Sequence, residues 1–257
     1  MPSSTGYAKV NGLEMYYEQH GGADGSKRPL VLLHGGVLTV DLTFGAVLPA
    51  LSESLAGRRL VAPELQGHGH TADTDRAMTV PNLASDVVAL LDELGIPQAD
   101  LFGFSLGGLT ALEVAVRHPE RVGRLVLAST HYHQDGYHDE VRTPDYSSPL
   151  LPSQDDFREM TDAYKAVAPD PEHFQDFLAK CSTAAQAPLP WTSDDLHALS
   201  SPTLLVIGDT DFVRVEHAAE MQRLIPSARL AVLPGTTHMS LMRRTALLLP
   251  MLEEFLG

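Results

Sequence analysis

Ser105 stands in Gly103-Phe104-Ser105-Leu106-Gly107-Gly108, the spacing Gly-x-Ser-x-Gly. A serine at the apex of a tight strand-to-helix turn sits on strained backbone, and the positions two before and two after it must lack bulk. The N-terminus of the following helix also turns its dipole and free N–H groups toward the serine oxygen. A serine hydroxyl is a poor nucleophile until a base takes its proton, and the base needs an acid to fix its tautomer. Candidates for both lie downstream: Asp209 and Asp211 in Gly208-Asp209-Thr210-Asp211, and His238 in Pro234-Gly235-Thr236-Thr237-His238. Upstream, His34-Gly35-Gly36-Val37 supplies a glycine turn. Two backbone donors there would form an oxyanion hole, Gly36 N–H (Val37 as the alternative) and Leu106 N–H. Together these groups describe nucleophilic acyl transfer.

Such chemistry requires elements that bring distant residues to one place. Tyr7–Val10 and Leu13–Glu18 alternate around Asn11-Gly12 and predict a hairpin. Leu30–Leu33, Leu60–Ala62, Leu101–Phe104, Arg124–Ala128, Thr203–Ile207 and Leu230–Leu233 are apolar runs of the kind that form core strands. Helical spacing separates them, notably at 41–55 and at 81–94, where Gly95 stops the pattern. Strands alternating with helices predict an α/β fold with a mostly parallel, doubly wound sheet. The carboxyl ends of such strands converge on one edge, so Ser105, an Asp of 208–211 and His238 are expected to meet there. Residues 1–129 and 201–257 read as this core. Residues 130–200, rich in Pro, Asp, His and aromatics, break the rhythm and read as an inserted helical lid. A kink or restart is expected at Pro250 within Thr245–Leu256.

The order Ser, Asp, His around this elbow resembles the α/β-hydrolase superfamily along essentially the whole chain. The resemblance implies Ser105 as nucleophile, His238 as base and, by position in the family's Gly-x-x-Asp pattern, Asp211 rather than Asp209 as triad acid. Glu64-Leu65-Gln66-Gly67-His68-Gly69-His70-Thr71 is similar to the family's Asp-x-Arg-Gly-x-Gly-x-Ser loop, with Glu for Asp and Gln for Arg. The resemblance implies a serine esterase or lactonase without a cofactor. Ser105 excludes the dehalogenase and epoxide hydrolase branches, which carry Asp at the elbow. Carbon–carbon-bond hydrolases, cofactor-free haloperoxidases and thioesterases share the triad and stay open, as does a slow-turnover ligand receptor on the same scaffold. The 64–71 loop is also similar to that of macrolide-inactivating esterases, so macrolide lactones belong among the expected cyclic esters.

Composition sets outer bounds. The 257 residues are 44% hydrophobic and 20% charged, as expected for a globular chain with a sizeable core. A formal charge of −15, with no basic cluster, disfavours nucleic acid. No apolar run approaches the roughly 18 residues of a membrane span, and 1–7 lack the features of an export signal, so a cytoplasmic location is expected. Cys181 excludes an internal disulfide and reads as a buried structural thiol. The tract His131-Tyr132-His133-Gln134-Asp135-Gly136-Tyr137-His138 is superficially similar to a metallo-β-lactamase ligand set, but Gly136 stands where a ligand is needed; no metal is expected. His20, His118 and His217 read as surface residues. His68 and His70 either line the substrate entrance or pack their loop. Val37, His131, Tyr132 and Trp191 are the expected substrate contacts, Trp191 equally a packing anchor. Tyr132, Tyr137, Tyr146, Phe157, Tyr164 and Trp191 suggest a lid over a bulky, partly apolar small-molecule substrate. The oligomeric state is left open.

Overall fold

The computed structural model describes residues 1–22, 27–142 and 147–257. Tyr146 and residues 23–26 of the polar loop that follows Gly21 lie outside them. Among the described residues, eight strands form one sheet: β1 (Ser4–Val10), β2 (Leu13–Gly21), β3 (Leu30–Leu33), β4 (Arg59–Pro63), β5 (Ala99–Phe104), β6 (Val122–Ala128), β7 (Thr203–Gly208) and β8 (Ala228–Leu233). Their order is β1-β2-β4-β3-β5-β6-β7-β8. β1–β2 and β2–β4 are antiparallel and every other pairing is parallel. Asn11 and Gly12 both hold positive φ, at 49° and 86°, as a tight hairpin turn demands.

Beyond polar residues near their starts, such as Arg59, Asp100 and Arg124, the inner strands are apolar because both faces are covered. Val31, Leu33, Leu101 and Leu125 pack on one side and Leu32, Phe102, Val126 and Val206 on the other, each within a separate buried cluster. β8 departs from the expected core strand. It forms the sheet edge, is only partly buried, and leaves Val232 40% exposed. The helix expected over 41–55 is two helices, Val40–Phe44 and Leu48–Ser54. Gly45 caps the first, and Pro49 in the first turn of the second has no N–H with which to continue the first. Thr245–Leu256 runs unbroken through Pro250, with Leu248 and Leu252 anchoring it in the core on either side. His20 and His217 are buried rather than superficial, 9% and 2% exposed. His20 pairs with Glu18, and His217 accepts the Tyr132 N–H at 3.2 Å.

Register places the functional loops. Leu33 pairs with Gly103, so the chain leaving β3 and the chain leaving β5 emerge side by side. Phe104 pairs with Ala128, Ala128 with Val206, and Gly208 with Leu233. The loops after β3, β5, β6, β7 and β8 therefore follow one another along the same edge. The strand order reverses between β3 and β5, the position where open α/β sheets hold ligands. Between β6 and β7 the described chain forms helices Asp139–Arg142, Gln154–Val167, Phe174–Gln186 and Ser193–His197. Two of them start at capping boxes, Ser153 with Asp156 and Thr192 with Asp195. No described helix is long and apolar enough to cross a membrane.

Candidate active site

Ser105 links β5 to the helix Leu106–Arg117 with φ 53° and ψ −117°, a conformation costly for any residue with a Cβ. Its own N–H is bonded to Ala128 O at 2.9 Å, which pins the elbow to β6. The surrounding glycines are required by space. A Cβ at Gly103 would overlap the Gly107 carbonyl, one at Gly107 would overlap Leu33 O, and one at Gly108 would overlap Thr130 Oγ1.

Asp211 and His238 meet. His238 Nδ1 lies 2.8 Å from Asp211 Oδ1, with both side chains buried. The Val213 N–H also donates to Oδ1 at 3.0 Å, and the Ser129 hydroxyl donates to Oδ2. Burial pushes the Asp211 pKa up, but the charge of His238 and these three donors outweigh it and hold the group below the ordinary carboxylate value. The His238 ring is stacked on Phe212 with centroids 3.6 Å apart and tilted against Phe104 at 4.8 Å. Asp209 does something else: it accepts the N–H groups of Gly235 and Thr236, both at 3.0 Å, and so fixes the turn that delivers His238.

Ser105 and His238 line one cavity of about 390 Å³, together with Gly36, Val37, Leu106 and His131. Among the described residues the Ser105 hydroxyl has no hydrogen-bond partner of its own. Catalytic hydrogen bonds are often long without substrate and tighten in the complex. Gly36 lines the same cavity as the serine, and Leu106, which follows Ser105 as first residue of its helix, has no intrahelical acceptor for its N–H. Val37 is different. It holds φ 60°, and its N–H donates to His68 Nε2 at 3.1 Å, so it is not free to meet an oxyanion.

Behind this loop His68 Nδ1 faces Gln66 O at 2.9 Å. His34 accepts Leu65 N–H on Nε2 at 3.0 Å and faces Gly35 O with Nδ1 at 2.8 Å. Burial foremost lowers His34 to about 3 and His68 to about 4, so both are neutral, and these bonds assign each ring a single tautomer. His68 is thus a loop-packing residue, whereas His70 lies partly exposed, bonded to Glu64 and stacked on Tyr16 at 4.2 Å.

Two of the four expected substrate contacts lie elsewhere. Tyr132 stacks on His217 at 4.8 Å and donates to Glu220, and Trp191 is buried with its Nε1 donating to Glu113 at 2.6 Å. Each needed a partner for its polar atom as well as apolar cover, and found the partner on another helix, Glu220 or Glu113, rather than in the cavity. Of the other aromatics in 130–200, Tyr164 packs on Phe174 and Phe177 and Phe157 is largely exposed, while Tyr137 does reach the cavity wall. His131 reaches it too, 3% exposed, with an Nε2 that has no partner. Burial, with the fields of His217 and His238 adding, lowers its pKa to about 3.

The rest of the lining, including Leu38, Met160, Leu178, Phe212 and Met239, was not legible as a site. These residues look like any core positions, and only the strand ends facing one edge mark them. Ser129 was also missed, although its position just beyond β6, next to the elbow's acceptor Ala128, is such a mark. Cys181 is buried as expected, its thiol pushed up to about 12 by burial, and it also touches the cavity. In the histidine tract, His133 is exposed and pairs with Asp135 while His131 is buried. Among the described residues no three His, Cys, Asp or Glu are placed to hold a metal.

Comparison with known proteins follows the same lines. A family model described as alpha/beta hydrolase fold matches residues 28–195. The chain is 42% identical to a 2-hydroxymuconate semialdehyde hydrolase of Pseudomonas sp. (strain CF600) over 106 residues, 40% of this chain and 36% of that one. It is 37% identical to a putative carbamate hydrolase RutD of Variovorax paradoxus (strain S110) over 118 residues, 46% and 42% of the two chains. It thus spans less than half the length of these curated relatives. The crystal structure of an enol-lactonase from Burkholderia xenovorans LB400 superposes with a TM-score of 0.77 at 25% identity, covering 97% of this chain and 99% of that chain.

Proposed function

The chain belongs to the α/β-hydrolase fold family, and on that premise we propose that it is a serine hydrolase of carboxylic esters, cyclic esters included. The observation that carries this reading is the Asp211–His238 hydrogen bond of 2.8 Å, set in the wall of the cavity that also holds Ser105 on its strained turn. His238, its Nδ1–H held by Asp211, takes the Ser105 proton on Nε2 as the Ser105 oxygen attacks the ester carbonyl. The oxyanion is received by the N–H groups of Gly36 and Leu106, each contributing about 3 kcal/mol to the transition state. Collapse expels the alcohol, which leaves with the proton from His238. Water then attacks the acyl-Ser105 ester with His238 again as base and releases the acid.

A cavity of about 390 Å³ suits an acyl chain or a compact ring. Its wall includes the exposed Ala185 and the partly exposed Leu189, so a larger ring such as a macrolide lactone can project outward with its ester at Ser105. In this reading residues 130–200 act as a lid, in a protein acting in the cytoplasm on a small molecule.

The test is turnover of p-nitrophenyl esters and a series of lactones of rising ring size, macrolides included, by the native protein and by Ser105→Ala. The expected result is loss of at least about 10⁴-fold in kcat/KM; unchanged turnover in the variant rejects the proposal. Carbon–carbon-bond hydrolysis is the second reading, favoured by the similarity to a semialdehyde hydrolase. It predicts higher specificity constants on diketone-type substrates than on any ester of the panel. A receptor on the same scaffold would react once with a fluorophosphonate yet turn over no ester.

A further inference from the structure

No cationic side chain lines the candidate active site. The described residues of the cavity include neither Lys nor Arg, and the stretches 23–26 and 143–146 contain none in sequence. Nearby cations are paired with other groups. Lys180, adjacent in sequence to the cavity residue Cys181, places Nζ 2.8 Å from Asp73 Oδ1 and 3.0 Å from Oδ2. Arg76 is held between Gln66 and Asp86. The two imidazoles in the lining are already committed by their surroundings. His131 is kept neutral by its burial, and His238 has its Nδ1 2.8 Å from Asp211 Oδ1. The remaining walls are formed by side chains such as Val37, Met78, Leu83, Leu109 and Met160. The segment 130–200 adds a bias of its own, with thirteen Asp and Glu against four Lys and Arg, so that it supplies −9 of the total −15.

We propose that this site selects esters whose acyl group is uncharged and discriminates against acyl groups that carry a carboxylate. A carboxylate entering the cavity would lose its hydration and find no counter-ion, and a buried unpaired charge is among the costliest groups in a protein. The acidic surface that it must cross adds a longer-range repulsion. This selectivity rests on the ester-hydrolase reading and narrows it to a substrate class.

The experiment compares p-nitrophenyl hexanoate with the p-nitrophenyl half-ester of adipate, whose acyl chains are equally long and end in a methyl or a carboxylate. The native protein is expected to favour the neutral ester by at least about 100-fold in kcat/KM, equivalent to about 2.7 kcal/mol. Most of that ratio should survive at about 1 M salt, because salt screens the surface charges and not the dehydration of a buried one. Leu189→Arg and, at an exposed position of the cavity wall, Ala185→Lys should each narrow the ratio by about tenfold or more through faster turnover of the anionic ester. A native ratio within about threefold overturns the inference while leaving the proposed hydrolase intact. If neither ester is turned over, the proposed function fails and this inference falls with it.

Discussion

Asp211 keeps its negative charge in a buried position because three donors converge on it: His238 Nδ1–H, Val213 N–H and the Ser129 hydroxyl. Asp211→Asn removes the charge that stabilises an imidazolium and can present its amide to His238 in the wrong sense. It is expected to lower kcat about 10³–10⁴-fold near neutral pH, measured by steady-state turnover of a p-nitrophenyl ester. Asp209→Asn is the matched control. That carboxylate is exposed and serves the 234–236 turn, so its loss should change kcat/KM by less than about tenfold. Equal losses in the two variants would remove the distinction drawn between these neighbours. Ser129 tests the same node: Ser129→Ala leaves Oδ2 with one donor fewer and should lower kcat by about tenfold while KM holds.

The loop after β3 is shaped from outside itself. Val37, β-branched and at φ 60°, is held there by the bond from its N–H to His68, which leaves the Gly36 N–H as the proposed oxyanion donor of this loop. His68→Phe orphans the Val37 N–H, so kcat should fall about 10–100-fold with KM nearly unchanged, and His68→Gln, which keeps an acceptor at that distance, should recover most of the loss. A KM effect without a kcat effect would make His68 a substrate contact instead. Gly107→Ala drives a Cβ into Leu33 O and should cost at least about 3 kcal/mol of stability in urea unfolding. Much of this level was legible from residue order alone. The hairpin, the parallel strands and the elbow follow from Asn11-Gly12, from apolar runs and from glycine spacing, because those signals are local. Tyr132 lies away from the cavity, and Trp191 takes the packing-anchor alternative, because an aromatic in the polar stretch 130–200 carries no mark of which way it faces. Their acceptors, Glu220 and Glu113, come from helices distant in sequence. The split at Gly45 and the edge position of β8 likewise depend on what packs against them. Val37 was open as an oxyanion donor only because its bond to His68 spans 31 residues.

Across the whole molecule, acid sensitivity follows from four buried histidines. His34 and His131 are lowered to about 3, and His68 and His217 to about 4, with burial as the largest cause at each. In the unfolded chain they titrate near 6.5, so below that pH the unfolded state binds more protons and folding stability falls as pH falls. Each histidine contributes up to roughly 1.4 kcal/mol per pH unit in that window. His70, raised chiefly by its hydrogen bond to Glu64, acts in the opposite sense and offsets part of one such contribution. The urea midpoint should therefore drop steeply between about pH 6.5 and 5 at a constant m-value; a flat profile would contradict the neutral, buried assignment. The account as a whole stands on Ser105 being a hydroxyl made nucleophilic by His238. The most direct measurement is phosphonylation by a fluorophosphonate, followed in time and mapped by peptide mass spectrometry. The account predicts one adduct per chain, on Ser105, formed at least about 10³-fold more slowly in His238→Ala. An adduct on another residue, or a rate that ignores His238, would contradict it.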